Sequence, residues 1–245
     1  MKQSPLFSNI QTGEAYYDEV ERATYKGITI KTFILLAITT IVAAMVVLNL
    51  PAILNNNPTM FTVTLVIASI VGFISVMVGR ISERNAKYAS VIYSACEGLF
   101  LGTLTLMVEL VAPGAATIAV FSTLIIFAVM LTLFSTGILR VGTKFRRFCF
   151  TFTLGAIALT LFMSIASLFI NFNAYLNILI GLEVGLLIYG AITLGLNFAE
   201  AQSVVERGAS KDAEWSVSLG LMVSIIYIYV EILRLIYYLV LLRDN

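Results

Sequence analysis

The sequence predicts an all-α integral membrane protein with seven transmembrane helices, the last of which lies at the centre of the bundle. First, 60% of the 245 residues are apolar and only 12% are charged, whereas charged residues approach roughly a quarter of a water-soluble domain. Second, the apolar residues form runs close to the roughly 20 residues that a helix needs to cross a bilayer. Third, basic residues occur in alternate connecting segments, a pattern typical of multi-pass membrane proteins.

The predicted spans form one transmembrane domain, residues 28–242, between a polar tail of residues 1–27 and a short tail of residues 243–245. The start of the chain lacks the short apolar core and small-residue cleavage site of a signal peptide. We therefore expect the first apolar segment to be retained as a span. The spans are predicted at 28–50, 60–79, 88–110, 116–139, 148–170, 176–199 and 215–242.

Each span ends where the composition interrupts the apolar run. The segment 51–59 contains three consecutive asparagines and Pro58, and the turn 111–115 contains Pro113 and Gly114. Proline, glycine and asparagine favour turns and loops. The other boundaries are two basic segments, the uncharged loop 171–175 and the longest internal loop, 200–214.

Basic residues define the orientation that we predict for the spans. They lie in the N-terminal tail and in the second, fourth and sixth loops, while the other loops have none. The positive-inside rule places basic segments in the cytoplasm. The N-terminus is therefore predicted inside and the C-terminus outside. The basic residues concerned are Arg22, Lys26, Arg80, Arg84, Lys87, Arg140, Lys144, Arg146, Arg147, Arg207 and Lys211.

Several classes of function are excluded by composition. Histidine is absent, so imidazole-dependent triads, histidine-ligated zinc proteases and imidazole pH switches are excluded. We also find no serine or aspartate motif of a membrane protease, and expect neither enzymatic activity nor a cofactor. A formal net charge of +1 predicts no nucleic-acid partner. Cys96 and Cys149 lie in apolar spans and are expected to pack as small side chains.

Two small-residue spacings predict where helices approach closely. Gly98 and Gly102 are four residues apart in the third span, and Gly181 and Gly185 are four apart in the sixth. Such pairs allow two helix backbones to come close together. Lys31, near the start of the first span, is expected to extend its ammonium group to the membrane interface.

The last span carries a polar stripe on an otherwise apolar helix. A charge facing lipid costs about 3 kcal/mol on insertion scales, so this stripe is expected to face protein or water. Two interpretations stay open: Glu231 and Arg234 form an inert local pair, or Glu231 lines a cavity that responds to protons or ions. The stripe consists of Gly220, Ser224, Tyr227, Glu231, Arg234 and Tyr238.

Other acidic residues are candidates for the same chemistry. Glu97 lies in the middle third of the third span, and the sixth span carries Glu183 and Glu200 on the face that includes Asn197. Two carboxylates that share a site titrate as a coupled pair, which gives a proton-operated latch without histidine. They could also bind Ca²⁺, which prefers oxygen ligands. Alternatively, Glu200 is a solvated interface residue and Glu183 is hydrogen-bonded to a neighbour.

Four segments carry a resemblance to a known family. Residues 93–102 (YSACEGLFLG) resemble the third-helix signature of the Bax inhibitor family, the transmembrane Bax-inhibitor-motif proteins. Residues 227–235 (YIYVEILRL) resemble its last-helix signature. Residues 23–36 and the loop 208–215 are similar to a prokaryotic branch of the family, and the resemblance covers nearly the whole chain.

The resemblance implies a fold and a function. The fold has seven helices with the last at the centre, and the function is a pH-sensitive calcium leak whose proton sensor is an acidic pair on the last two helices. Glu231 matches the last-helix acid, as glutamate where aspartate is better known. At the sixth-helix motif the sequence reads Asn197-Phe198-Ala199-Glu200, so the partner of Glu231 is Glu200, Asn197 or Arg234.

The resemblance also implies a setting for the protein. Its expected partners are the lipid bilayer, calcium ions and other membrane proteins, and its expected location is the inner membrane of a prokaryotic cell. An alternative function is that of a non-conducting regulatory or scaffolding membrane protein.

Overall fold

A computed structural model describes residues 22–56, 58–136 and 172–243, together with residue 138 and separate residues between 147 and 165. The described residues include six helices, each long and apolar enough to cross a membrane. The protein is therefore a helical integral membrane protein. The helices are α1 (Tyr25–Asn56), α2 (Pro58–Ile81), α3 (Glu83–Val111), α4 (Ala115–Ser135), α5 (Phe172–Glu206) and α6 (Ala213–Arg243).

Six of the seven predicted spans have a described helix, and α5 and α6 correspond to the sixth and seventh spans. The predicted fifth span, 148–170, lies largely outside the described residues. The predicted loop 51–59 is wrong in extent, because α1 continues to Asn56 and α2 begins at Pro58. Proline suits the first turn of a helix, where its missing N–H would have no helical partner.

The predicted loop 200–214 is also shorter than expected. Helix α5 continues to Glu206 and α6 begins at Ala213. Gly208 follows α5 with a φ of 62°, a conformation that glycine adopts without steric penalty. Its amide donates a hydrogen bond to the carbonyl of Val205 at 3.0 Å. This is the arrangement in which helices commonly end.

The chain segments that meet near the start of α1 define what we term the N-terminal end of the bundle. The amide of Ala23 donates to the carbonyl of Ala209 at 2.8 Å, in the loop before α6. The hydroxyl of Ser210 donates to Glu83 Oε2 at 3.2 Å, at the start of α3. The start of α1, the turn from α2 to α3 and the loop from α5 to α6 therefore lie together. The opposite end, where α6 finishes, is termed the C-terminal end.

Helix α6 occupies the centre of the bundle. It packs against each of the five other described helices, and 16 of the 21 residues from Ala213 to Leu233 are buried, while none of the others is fully exposed. Leu219, Met222 and Ile228 have no exposed surface. The prediction that the last span is central is therefore confirmed for the described helices. In contrast, the outward faces of α2 and α4 expose large apolar side chains suited to lipid.

One of the two predicted small-residue contacts is present. A methyl group at Gly98 would lie 2.7 Å from the carbonyl oxygen of Thr39, and one at Gly102 would lie 2.6 Å from that of Ala43. These glycines allow α3 to approach the backbone of α1. At Gly181 and Gly185, a methyl group would meet nothing within 4 Å among the described residues, and the predicted fifth span lies largely outside those residues, so a close approach there stays a prediction.

A buried ion pair attaches the start of α1 to the start of α6. Lys31 Nζ lies 2.6 Å from Glu214 Oε2 and 5.0 Å from the centre of the Trp215 ring. The amide of Thr24 donates to Glu214 Oε1 at 2.7 Å. Lys31 Nζ also donates to the carbonyl of Lys211 at 3.1 Å, in the loop before α6, so the ammonium group lies at the N-terminal end of the bundle with Glu214, which is 1% exposed, as its anionic partner.

Candidate functional site

Two polar stripes meet along the contact between α5 and α6. The stripe predicted on the last span faces the polar face predicted on the sixth span. The contacting residues on α5 are seven positions apart, which is about two helical turns, so they recur on one face. The three pairs are Glu183 with Glu231, Gly190 with Tyr227, and Asn197 with Ser224.

The first pair brings two buried carboxyl groups together. Glu183 is 4% exposed and Glu231 is 1% exposed, and the two side chains interact directly. Arg234 Nη1 lies 3.5 Å from Glu231 Oε1 and 4.0 Å from Glu183 Oε1. Within the part of the chain that the structure describes, the remaining oxygen of each carboxyl, Oε2, is buried and has no hydrogen-bond partner. Two acids therefore share one guanidinium and retain free acceptor atoms.

This acidic pair has a defined chemical capacity. Ionised carboxylates only accept hydrogen bonds, so each free Oε2 can take a proton or coordinate a cation. When both acids are ionised, the group holds more negative than positive charge. Such an imbalance of charge is costly among buried groups. Uptake of one proton or one cation reduces it. The Tyr227 hydroxyl interacts with Glu231 in the same group.

A second polar group lies nearer the N-terminal end and involves α2. Arg80 Nη2 donates to Glu200 Oε2 at 2.7 Å, and Nη1 donates to the carbonyl of Ser216 at 3.0 Å. A methyl group at Gly220 would lie 2.8 Å from both Arg80 Nη1 and Asn197 Oδ1. The glycine therefore leaves room for the guanidinium against α6. Arg80 connects α2 to both α5 and α6.

The two polar groups are separated along α6. Ser224, which accepts a hydrogen bond from Asn197 Nδ2 at 2.6 Å, precedes Glu231 by two helical turns, or about 10 Å. Gly190 lies between them on α5, and its missing side chain makes space for the Tyr227 ring, 2.8 Å from where a methyl group would be. An aromatic ring thus separates the neutral Asn–Ser pair from the acidic pair.

The structure distinguishes among the partners proposed for Glu231. Arg234 is an ion-pair partner, but Glu200 and Asn197 bind other residues. The acid that faces Glu231 is Glu183. The physical reason is the antiparallel packing of α5 and α6, in which a late residue of α6 faces an early residue of α5. Glu200, late in α5, instead faces the start of α6.

Two residues take part in these polar contacts although the sequence assigns them no specific role. Arg80 follows the predicted end of the second span, and the sequence places it in a basic loop, but α2 includes it and continues to Ile81. Ser224 belongs to the predicted stripe but was not singled out for a role. The sequence contains a signal that Arg80 could lie on the helix, because this residue immediately follows the predicted end of the second span.

Glu97 lies apart from the acidic pair. Its carboxyl group interacts with the Tyr93 hydroxyl one turn earlier on α3 and lines a pocket between α2 and α3. Cys96 lines the same pocket, and among the described residues neither Cys96 nor Cys149 forms a disulfide.

Fold and site together define a multi-pass helical membrane protein with a central last helix and paired acids on its last two described helices. The family model described as Bax inhibitor 1 like matches residues 4–240, so the chain belongs to the Bax inhibitor 1-like family. No curated protein and no solved structure matches the chain.

Proposed function

We propose that the protein is a pH-sensitive cation leak channel that conducts calcium and is gated by protonation of carboxyl groups between its last two helices. We further infer seven spans with the N-terminus in the cytoplasm, in the inner membrane of a prokaryotic cell. The protein then acts without enzymatic chemistry or a bound cofactor. Membership of the Bax inhibitor 1-like family supports a multi-pass membrane role.

The observation that carries the proposal is the pair of unpartnered carboxylate oxygens on Glu183 and Glu231. Acids inside a membrane protein are expensive and mark ion or proton pathways. Together the two residues offer four oxygens, fewer than the roughly six to eight that Ca²⁺ takes. Water must complete the shell, and Arg234 repels the ion. Binding is therefore weak, as conduction requires.

The Arg80–Glu200 ion pair supports gating at the other end of the pathway. It joins α2 to α5, and both side chains are about one-third exposed. Protonation of Glu200 removes its charge and weakens the attachment of α2 to α5. In this proposal, Glu200 controls the cytoplasmic side while Glu183 and Glu231 respond deeper in the bundle.

The deciding experiment is calcium flux into proteoliposomes from about pH 5 to 8. We expect wild-type flux to change with pH and the Glu231→Gln variant to lose most of that change, because glutamine has no titrating proton. Glu206→Gln is the matched control, since Glu206 is exposed at the end of α5. An unchanged pH profile in folded Glu231→Gln contradicts the assignment of Glu231 as sensor.

A second candidate function is a non-conducting regulatory or scaffolding role toward other membrane proteins. The favouring observation is Arg234, which lies within 4.0 Å of both acids and can hold α5 and α6 in register without any ion passing. Background flux at every pH, from protein shown to be folded, would support this function and refute the channel.

A further inference from the structure

A pocket between α2 and α3 is separate from the acidic pair. Its volume is about 320 Å³, at the lower end of the roughly 300–1,000 Å³ typical of small-molecule sites. Three aromatic side chains and one carboxyl group are the features that could recognise a ligand. They are Phe73, Tyr93, Phe100 and Glu97.

The pocket lies at mid-depth in the bundle. Glu97 is close to the middle of α3, which spans Glu83–Val111, and Gly72 is close to the middle of α2, which spans Pro58–Ile81. Both helices are long and apolar enough to cross the membrane. The carboxyl group of Glu97 therefore lies near the centre of the bilayer.

The mouth of the pocket opens on the outer surface of the bundle. Phe73 is 69% exposed and Phe100 is 44% exposed, whereas Tyr93 on the inner side is 8% exposed. Helices α2 and α3 pack closely along the pocket, because a methyl group at Gly72 would lie 3.3 Å from Cys96 Cβ. A ligand therefore enters from the acyl-chain region of the bilayer.

The Glu97 carboxyl lacks a cationic partner within the part of the chain that the structure describes. The salt bridges there join Lys31, Arg80 and Arg234 to other acids, and the neighbour of Glu97 is the Tyr93 hydroxyl. A carboxylate at this depth is expensive without a counter-ion. A membrane-soluble cation is complementary to it in both charge and location.

We propose that this pocket binds the ammonium group of a lipophilic amine, with Glu97 as its counter-ion. Aromatic rings attract cations through their faces, and aromatic cages are a recurrent solution for binding alkylated ammonium groups. Phe73, Tyr93 and Phe100 line the pocket together with Glu97 and provide such rings. The alkyl tail extends through the mouth between α2 and α3 into lipid. This site does not depend on the proposed channel function.

The test is saturable binding of tritiated decyltrimethylammonium to the full chain in nanodiscs, with empty nanodiscs of the same lipid subtracted. Unlabelled decyltrimethylammonium should displace the label. Its neutral isostere, in which a tert-butyl group replaces the trimethylammonium group, should not. We expect Glu97→Gln to weaken binding at least about tenfold and Phe100→Leu severalfold.

Glu109→Gln is the matched control, because Glu109 is on the same helix but accepts hydrogen bonds from the amides of Gly114 and Ala116. It should leave binding unchanged. Equal displacement by the neutral isostere, or unchanged affinity in Glu97→Gln, would overturn the proposal. If Glu97→Gln does not fold, two measurements decide the outcome. One is the competition of decyltrimethylammonium against its neutral isostere on the wild-type protein, and the other is the affinity of the Phe100→Leu variant.

Discussion

Arg234 illustrates how a single residue sets the electrostatics of the acidic pair. Its side chain is 44% exposed, while the two carboxyl groups that it approaches are buried. The Arg234 guanidinium therefore lies partly at the surface of the bundle and partly against the acidic pair. Removal of Arg234 leaves two neighbouring acids without its positive charge, and protons or bound cations must then compensate them.

We predict that Arg234→Gln lowers the Tm in detergent by several degrees at pH 8 and by much less at pH 5. The reason is that a protonated carboxyl group carries no charge and needs no counter-ion, whereas an ionised buried group does. Arg207→Gln, on the surface loop after α5, serves as the control and should change the Tm little at either pH. Equal losses at both pH values would contradict the interpretation.

At the scale of elements, the contact between α1 and α3 depends on backbone proximity. Gly98 and Gly102 place α3 directly against carbonyl groups of α1. Those backbone atoms cannot rotate away as a side chain can. In α5, a methyl group at Gly181 or Gly185 would meet no atom of the described residues within 4 Å. A small-residue spacing therefore indicates that close approach is possible, while the neighbouring helix determines whether it occurs.

We predict that Gly98→Ala and Gly102→Ala each destabilise the protein by about 1–3 kcal/mol, the usual cost of overpacking. Gly181→Ala and Gly185→Ala are matched controls that should be neutral or slightly stabilising, because alanine favours helix more than glycine does. Thermal or denaturant unfolding in one detergent compares all four variants. Similar losses in both pairs would show that the glycines act through helix flexibility rather than contact.

At the scale of the whole molecule, composition and hydrophobic runs are sufficient to predict a bundle with a central last helix. The last span carries a continuous polar stripe, and such a stripe in a membrane is expected to face protein or water. The pairing within the bundle is harder to predict. The match of Glu183 with Glu231, rather than Glu200 with Glu231, depends on where α5 ends and α6 begins, and those limits differ from the predicted loop 200–214 by several residues.

The predicted orientation is testable by thiol labelling in intact cells. In a background with Cys96→Ala and Cys149→Ser, a cysteine introduced at Ser8 should react with an impermeant maleimide only after the cells are opened. A cysteine at Asn56, at the far end of α1, should react from outside. The positive-inside rule gives this expectation. Labelling of the Ser8 variant in intact cells would show that the topology is opposite to the predicted one.

The central position of α6 has a consequence for the order of synthesis. Lys31, Arg80, Glu183 and Asn197 emerge from the ribosome before the residues of α6 that receive them. Lys31 precedes its partner Glu214 by 183 positions. Until the last helix enters the membrane, these polar groups face lipid, water or the insertion machinery. We therefore expect a chain that stops before Ala213 to lack these contacts and to fold less stably than the complete polypeptide.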